Sequence, residues 1–351
     1  MREPRFWQAP RAGEIHILPR LLSPAAFLYG VAGGLRQRFA KPEQAAVPII
    51  CIGNITVGGT GKTPLALTLA EWLIRQGEEV HFLTRGYGGT EEGPLRVDPA
   101  KHTAKEVGDE PLLLAAVAPT WVSADRAEGA AAAVREGAKL ILMDDGLQNP
   151  TLVKDFSILV ADAQTGLGNG RLIPAGPLRE HMDRGLSRVG AVVIIGRGHA
   201  ADRIAARARA RAIPVFRAIL RAAPAPDLDG LPVLAFAGIG RPEKFYATLR
   251  ELHADIVGTA SFPDHHIFGE REALDLLLRA RDLNATLVTT EKDLARLRAA
   301  PAGTARARLR DTTKTVAVHA LIDDFAALGT LLRDQIRLAR GRAAKRAAQP
   351  D

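Results

Sequence analysis

Thr56-Val57-Gly58-Gly59-Thr60-Gly61-Lys62-Thr63 stands between an apolar run, Val47 to Ile52, and a segment with helical spacing, Pro64 to Gln76. The run reads as a buried strand, and Leu65, Leu69, Trp72 and Leu73 share one face of the following helix. Strand, Gly-rich loop and helix together form the setting of a phosphate-binding loop. Its backbone N–H groups turn inward around a phosphate, and the helix N-terminus adds partial positive charge. In such a loop Lys62 reaches the β- and γ-phosphates and the Thr63 hydroxyl serves Mg²⁺. Pro64 costs the helix little, because a first-turn N–H has no intrahelical partner. Thr56 replaces the first glycine of G-x-x-x-x-G-K-[ST], and Val57 stands where deviant Walker loops carry an extra lysine. A chance Lys-Thr in a Gly-rich turn would not require the flanking strand and helix.

The alternation of strand and helix continues outward from this loop and predicts an α/β fold with a mostly parallel sheet. Glu79 to Thr84 reads as a strand that runs into Arg85-Gly86-Tyr87-Gly88-Gly89, at the carboxyl edge where open α/β sheets bind ligands. In Gly108-Asp109-Glu110-Pro111 an acidic residue either caps the next helix or points a carboxylate at that edge. The strand Lys139 to Met143 ends in Asp144-Asp145-Gly146-Leu147-Gln148, the Walker B pattern that supplies a carboxylate to the Mg²⁺ shell. After the strand Phe156 to Ala161, residues 166–180 form a long Gly/Pro-rich loop of the kind that serves as a binding loop or lid.

Arg221 to Gly230, rich in Ala, Pro and Asp, reads as a linker. A second α/β set follows. The expected organisation is an N-terminal segment over 1–44, a phosphate-loop domain over 45–220 and a smaller α/β domain over 231–340. A last helix is expected near Asp323 to Leu338, with a basic, frayed tail over 341–351. In the second half, Phe262-Pro263-Asp264-His265-His266 and Thr290-Glu291-Lys292-Asp293 each follow a strand end. Asp264 and the two histidines suit a catalytic group, a metal site or an ordinary polar loop, and spacing alone favours the loop; the acids of Glu291-Lys292-Asp293 suit a helix N-terminus.

The chain of 351 residues is long enough for two domains, and its net charge of +8 suits an anionic partner. No zinc-finger, RRM or basic-aromatic repeat accompanies that charge, so nucleic acid is not an expected partner, and neither is an obligate protein partner. The single cysteine, Cys51, excludes an intrachain disulfide framework and fits a reducing compartment. The first residues, Met-Arg-Glu-Pro-Arg-Phe-Trp, lack the plan of a secretory signal. Between basic flanks, Leu21 to Leu35 is apolar and uncharged but too short to span a bilayer; it suits a membrane interface or a helix packed on its own domain.

In order along the chain, seven segments resemble the tetraacyldisaccharide 4'-kinase (lipid A 4'-kinase) family. They are residues 53–64 around the phosphate loop, Arg85-Gly86-Tyr87-Gly88, Gly108-Asp109-Glu110-Pro111, Asp144-Asp145-Gly146-Leu147-Gln148, Pro174-Ala175-Gly176-Pro177-Leu178-Arg179-Glu180, Phe262-Pro263-Asp264-His265-His266 and Thr290-Glu291-Lys292-Asp293. The resemblance implies transfer of the ATP γ-phosphate to the 4'-hydroxyl of a lipid A disaccharide 1-phosphate, at the cytoplasmic face of the inner membrane of a Gram-negative cell. It further implies that the N-terminal segment is a membrane-associating helix. Asp109 would then be the catalytic carboxylate, working with His265; Thr63, Asp144, Asp145 and Glu180 would surround Mg²⁺. Contacts to nucleotide or phosphate would come from Asn54, Tyr87, Gln148 and Arg179, together with loop residues 56–63. One departure stands out: the family commonly carries His after the Asp-Asp-Gly-aromatic-Gln run, and this chain has Leu147 and then Asn149. Asn hydrogen-bonds but carries no proton near neutral pH.

Two other functional classes use a similar loop. A deviant-Walker ATPase or metallochaperone-type GTPase would switch a protein partner, although no N-K-x-D guanine motif is evident. A basic membrane-surface module would hold nucleotide only structurally.

Overall fold

The computed structural model describes residues 4–9 and 17–347; the extreme N-terminus, residues 10–16 and the last four residues lie outside them. Two sheets organise the chain. The larger contains β1 (Ile49–Gly53), β2 (Val80–Thr84), β3 (Leu95–Arg96), β4 (Thr120–Val122), β5 (Leu140–Asp144), β6 (Phe156–Asp162), β7 (Ala191–Ile195) and β8 (Val215–Ala222). The smaller contains β9 (Pro232–Ala237), β10 (Asp255–Ser261), β11 (Thr286–Thr290) and β12 (Lys314–Val316). A final strand, β13 (Val318–Ile322), returns to the larger sheet.

The larger sheet runs β13-β8-β7-β6-β1-β5-β2-β4-β3 and the smaller β10-β9-β11-β12. Pairing is parallel throughout except at the two outer edges, where β13 opposes β8 and β3 opposes β4. The expected α/β class with a mostly parallel sheet and a second, smaller α/β unit is thus borne out. β1 is the pivot: strands 2–5 lie to one side of it and strands 6–8 to the other. A chain that reverses its direction of winding leaves a crevice at that strand's carboxyl end, and the phosphate loop occupies it. β1, β2, β5, β6 and β7 are buried on both faces, which is why they read as continuous apolar runs.

The chain's last part differs from expectation. Residues after 317 do not stay with the smaller sheet: Val318–Ile322 pairs with Ala218–Ala222, and Ala320 N–H donates to Thr68 Oγ1 of the phosphate-loop helix at 3.0 Å. The helix Phe325–Ala347 also runs on through most of the expected tail. It begins by packing Phe325 edge-on against Trp72 (5.5 Å between ring centres), and Gly329 admits the Trp72 ring where a Cβ would lie 2.8 Å from it. Apolar positions Leu328, Leu332, Ile336 and Ala339 carry the buried stripe along it. Sequence alone does not show which sheet a last strand joins, because either edge satisfies the same alternation.

At the other end, Ser23–Phe39 is helical. Ala26 and Gly30 form its contact edge; a Cβ on Gly30 would lie 2.7 Å from Leu172. Arg184 Nε donates to Gln37 Oε1 at 2.8 Å, and Arg171 Nη1 to Ser23 Oγ at 2.8 Å. The loop 166–180, which Gly30 and Ser23 meet through Leu172 and Arg171, is not a free lid. Leu172, Ala175 and Leu178 are buried, and the loop is tied to Phe6 and Trp7 through Asn169 and Pro174. The outer side of the helix leaves Phe27, Leu28, Leu35 and Phe39 in solvent, the last at 75% exposure. No helix among the described residues is long and apolar enough to cross a membrane.

Candidate active site

The phosphate loop owes its shape to glycines. Gly58 and Gly61 have φ of 104° and 86°, in the left-handed region that L side chains avoid, and a Cβ on Gly61 would also lie 2.9 Å from Ile195. Gly61 is the residue before the helix Lys62–Arg75, so the loop's N–H groups and the helix N-terminus face the same crevice. The loop is laced to the segment 174–180. Val57 N–H donates to Pro177 O and Arg179 N–H to Ile55 O, both at 2.8 Å. Gly53, at the end of β1, is glycine because Leu147 sits against it; a Cβ there would lie 2.6 Å from the Leu147 Cβ.

Beside the loop, β5 delivers Asp144 and Asp145. Asp144 is buried; its Oδ2 accepts from Thr63 Oγ1 at a long 3.4 Å, while its Oδ1 is buried with no partner. Burial foremost, aided by the charges of Glu110 and Asp145 and opposed by Lys62, pushes the Asp144 carboxyl up to about 7. A buried carboxylate oxygen without a partner beside a hydroxyl fits a small hard cation that completes its shell with phosphate oxygens and water. Mg²⁺ is such a cation, and Thr63 and Asp144 are the residues that would hold it.

The other two expected Mg²⁺ residues are already engaged. Asp145, with φ of 54°, accepts from Arg179 Nη1 at 2.8 and 2.9 Å and lies 3.7 Å from Lys62 Nζ. Burial would raise its carboxyl, but Lys62 and Arg179 outweigh that and hold it below the usual range. Glu180 pairs with Arg188 and accepts from Gln148 Nε2 at 2.8 Å. Among the described residues no group of three or more His, Cys, Asp or Glu side chains is gathered as a metal cage.

Of the expected nucleotide contacts, Gln148 Nε2 donates to Asn54 O at 2.7 Å and Asn54 Nδ2 to Thr60 Oγ1 at 3.2 Å. Both side chains brace the loop, and Asn54 Oδ1 remains buried without a partner. Tyr87 is 70% exposed, and its ring stands edge-on to His265 with centroids 5.9 Å apart. Asn149, where the family commonly has His, accepts from Thr151 and Leu152 N–H groups at 3.1 and 3.3 Å. It shapes a turn.

Across the crevice, the second unit supplies His265 and three cations. His265, at a left-handed φ of 58°, sets Nδ1 3.3 Å from Asp109 Oδ2 and packs edge-on to Tyr87. The neighbouring His266 turns away and pairs with Glu272 at 2.9 Å, so the histidine beside Asp109 is His265. Asp109 does not cap its helix; Gly108 holds the cap position and Asp109 is the first helical residue. Burial would raise the Asp109 carboxyl, but the bond with His265 and the charges of Lys292 and Arg296 hold it well below the usual range. That same bond raises the His265 imidazole above its ordinary value despite the opposing effect of burial.

Two further residues, Arg296 and Arg241, were not singled out from the sequence, and Lys292 was read there only as part of its segment. Arg296, buried, pairs with Asp109 and Asp293 and donates to Gly238 O at 2.7 Å. Lys292 bonds Glu110 at 2.5 Å, joining the helix Glu291–Leu297 to the helix Asp109–Leu114. Arg241 of the second unit donates to the loop's Gly59 O at 2.9 Å. Thr290-Glu291-Lys292-Asp293 is therefore more than an acidic helix start: Asp293 is fully buried, bonded to Thr290 and Gly238. The basic character at helical spacing after Thr290 was the available signal.

A family of tetraacyldisaccharide-1-P 4'-kinases matches residues 18–337. The chain belongs to this family. Among curated proteins, tetraacyldisaccharide 4'-kinase from Parvibaculum lavamentivorans is 63% identical over 342 residues, covering 97% of this chain and all of the relative. The same enzyme from Rhodospirillum centenum is 51% identical, covering 88% and 91% of the two chains. Among solved structures, Aquifex aeolicus LpxK crystallised in complex with ATP is similar with a TM-score of 0.70 and 26% identity, over 91% of this chain and all of that one. These tetraacyldisaccharide 4'-kinases carry a nucleotide in one solved case, in keeping with the phosphate loop described above.

Proposed function

We propose that the chain transfers the γ-phosphate of ATP to the 4'-hydroxyl of a tetraacyldisaccharide 1-phosphate, with Mg²⁺, at the cytoplasmic face of the inner membrane. The observation that carries this reading is the meeting of two units over one crevice: the phosphate loop and Walker-type acid on one, and a histidine held 3.3 Å from Asp109 on the other. Phosphoryl transfer needs alignment and charge neutralisation more than covalent chemistry. Lys62 and the loop N–H groups hold the phosphates, and Mg²⁺, when bound, neutralises charge developing on them. The sugar hydroxyl is a weak nucleophile and gains from a positioned base.

The roles within the pair follow from their environments. Asp109, ionised and covered by Arg296, is a poor proton acceptor and an effective orienting group. It accepts Nδ1–H of His265, which leaves the half-exposed Nε2 to take the hydroxyl proton. Asp264, 3.9 Å from that nitrogen, favours the imidazolium that forms.

The test mixes purified protein with γ-labelled ATP, Mg²⁺ and detergent-dispersed tetraacyldisaccharide 1-phosphate. Label enters the lipid, and the Lys62→Ala protein loses most of it. Steady phosphate release to water without labelled lipid would instead favour the switch-ATPase reading.

Delivery of an acylated substrate suits the exposed apolar side of Ser23–Phe39, which carries Phe27, Leu28 and Phe39 beside the basic Arg36 and Arg38. Phe27→Ser with Phe39→Ser is expected to weaken sedimentation with anionic vesicles at least tenfold and to raise the lipid KM, with the ATP KM unchanged. Unaltered vesicle binding would place membrane contact elsewhere.

A further inference from the structure

We propose that Arg241 is a cation that the second unit supplies to the transferring phosphate, in place of the lysine that the phosphate loop lacks at Val57. The inference rests on the phosphoryl-transfer reading above. Deviant Walker loops carry their additional lysine within the loop, and here that position is apolar. Lys62 is left as the loop's own cation. Phosphoryl transfer spreads charge over three equatorial oxygens, and an arginine brought in from outside the loop is an established way to neutralise it.

The geometry assigns that task to Arg241. It stands between the Gly238-Ile239-Gly240 turn after β9 and the helix Pro242–Glu251, on the face of the second unit that meets the crevice. Its Nη2 donates to Gly59 O at 2.9 Å and to Asp162 Oδ2 at 2.8 Å. The guanidinium thus lies one hydrogen bond from the phosphate loop. Its Nε and Nη1 form no hydrogen bond among the described residues and remain available to an anion.

Asp162 explains how the group is held ready. Three residues past the register partner of Gly53, it ends β6 beside the loop. Its Oδ1 accepts from the N–H groups of Gln164 and Thr165 at 2.9 and 3.0 Å, which fixes the carboxylate. Its Oδ2 takes both Arg241 and Lys244, the latter at 2.9 Å. Two cations on one oxygen leave one to spare: Lys244 can keep Asp162 paired while Arg241 turns its free N–H groups to a phosphate. Arginine suits this better than lysine, since its planar fork serves two acceptors at once.

A latch that only joins the two units would use the same contacts, and the experiment separates the two roles. Arg241→Ala, Arg241→Lys and Asp162→Asn are compared with wild type for kcat, KM of ATP and lipid, ATP affinity and thermal unfolding. The wild-type rate in that assay separates failure of the kinase reading from failure of this one. Arg241→Ala is expected to lower kcat on the order of 10²–10³-fold, the effect of removing one preorganised charge from a transition state, with ATP affinity within threefold. Arg241→Lys recovers part of the rate, and added guanidinium at millimolar concentration stimulates the Ala variant alone. Asp162→Asn, which breaks the latch and leaves the guanidinium, loses less than tenfold. Should the Ala variant not fold, Arg241→Gln carries the same expectation. Equal losses in the Arg241 and Asp162 variants would overturn the proposal in favour of a latch, and an Arg241→Ala kcat within threefold of wild type would overturn it outright.

Discussion

Asp109→Asn is expected to lower kcat by about 10²–10⁴-fold while ATP affinity changes only a few-fold, the range that a positioned base contributes. Asn keeps the shape of the side chain and loses its charge. In the proposed mechanism that charge has two tasks: selecting the His265 tautomer with Nδ1–H, 3.3 Å from Asp109 Oδ2, and stabilising the imidazolium once Nε2 has taken the proton. His265→Ala should fall into the same range, and the double variant should be little worse than either, because the pair acts as one unit. The pH profile is a sharper readout. The base must be neutral, so activity is lost as pH falls through the His265 pKa, which Asp109 holds above its ordinary value. Removing the Asp109 charge lowers that pKa and moves the acid limb of the residual activity to lower pH. An unmoved limb would show that the titrating base is another group. Stability must be followed alongside, since Arg296 is buried against Asp109 and would keep Asp293 as its one charged partner. For that reason Asn is a better probe than Ala.

Asp144→Asn is expected to act in opposite directions on activity and stability. Burial pushes the Asp144 carboxyl up to about 7, whereas in an unfolded chain it ionises near about 4. The folded protein therefore binds this proton more tightly. Its stability falls as pH rises from about 4 to about 7, and above that the cost is complete. Asn carries no such cost. The variant should match wild type below about pH 4 and exceed it above pH 7 by on the order of 1–3 kcal/mol, read from denaturant melts without Mg²⁺. Turnover should nonetheless fall by about 10²–10³-fold, because the ionised oxygen that would hold Mg²⁺ is gone. A variant no more stable at pH 8 would show that burial of this charge is not strained, and retained Mg²⁺-dependent turnover would remove Asp144 from the metal's shell. Strain kept at a working site at the expense of stability is a common trade.

Much of this architecture was legible in the order of residues. The strand before the phosphate loop, the loop itself and the helix after it are local. Gly58 and Gly61 supply backbone angles that few other residues allow, and the apolar spacing of Leu65, Leu69 and Leu73 follows from helix period. The acidic end of β5 was legible for the same reason. Less legible were residues whose partners are remote in sequence. Nothing at Thr290-Glu291-Lys292-Asp293 announces that Lys292 bonds Glu110 across 182 positions, or that Arg296 covers Asp109 across 187. Nor does the Asp144-Asp145 pair reveal that one acid keeps an open oxygen while arginine claims the other.

By itself the sequence determined the elements and the phosphate loop, because backbone preference and hydrophobic period act over a few residues. Tertiary structure alone decided which remote groups meet: His265 and not His266 at Asp109, Arg241 at the Gly59 carbonyl, and Val318–Ile322 on the edge of the larger sheet. Those choices depend on how two packed units meet over one crevice. The energies concerned, desolvation against pairing, exist only once the groups are buried together.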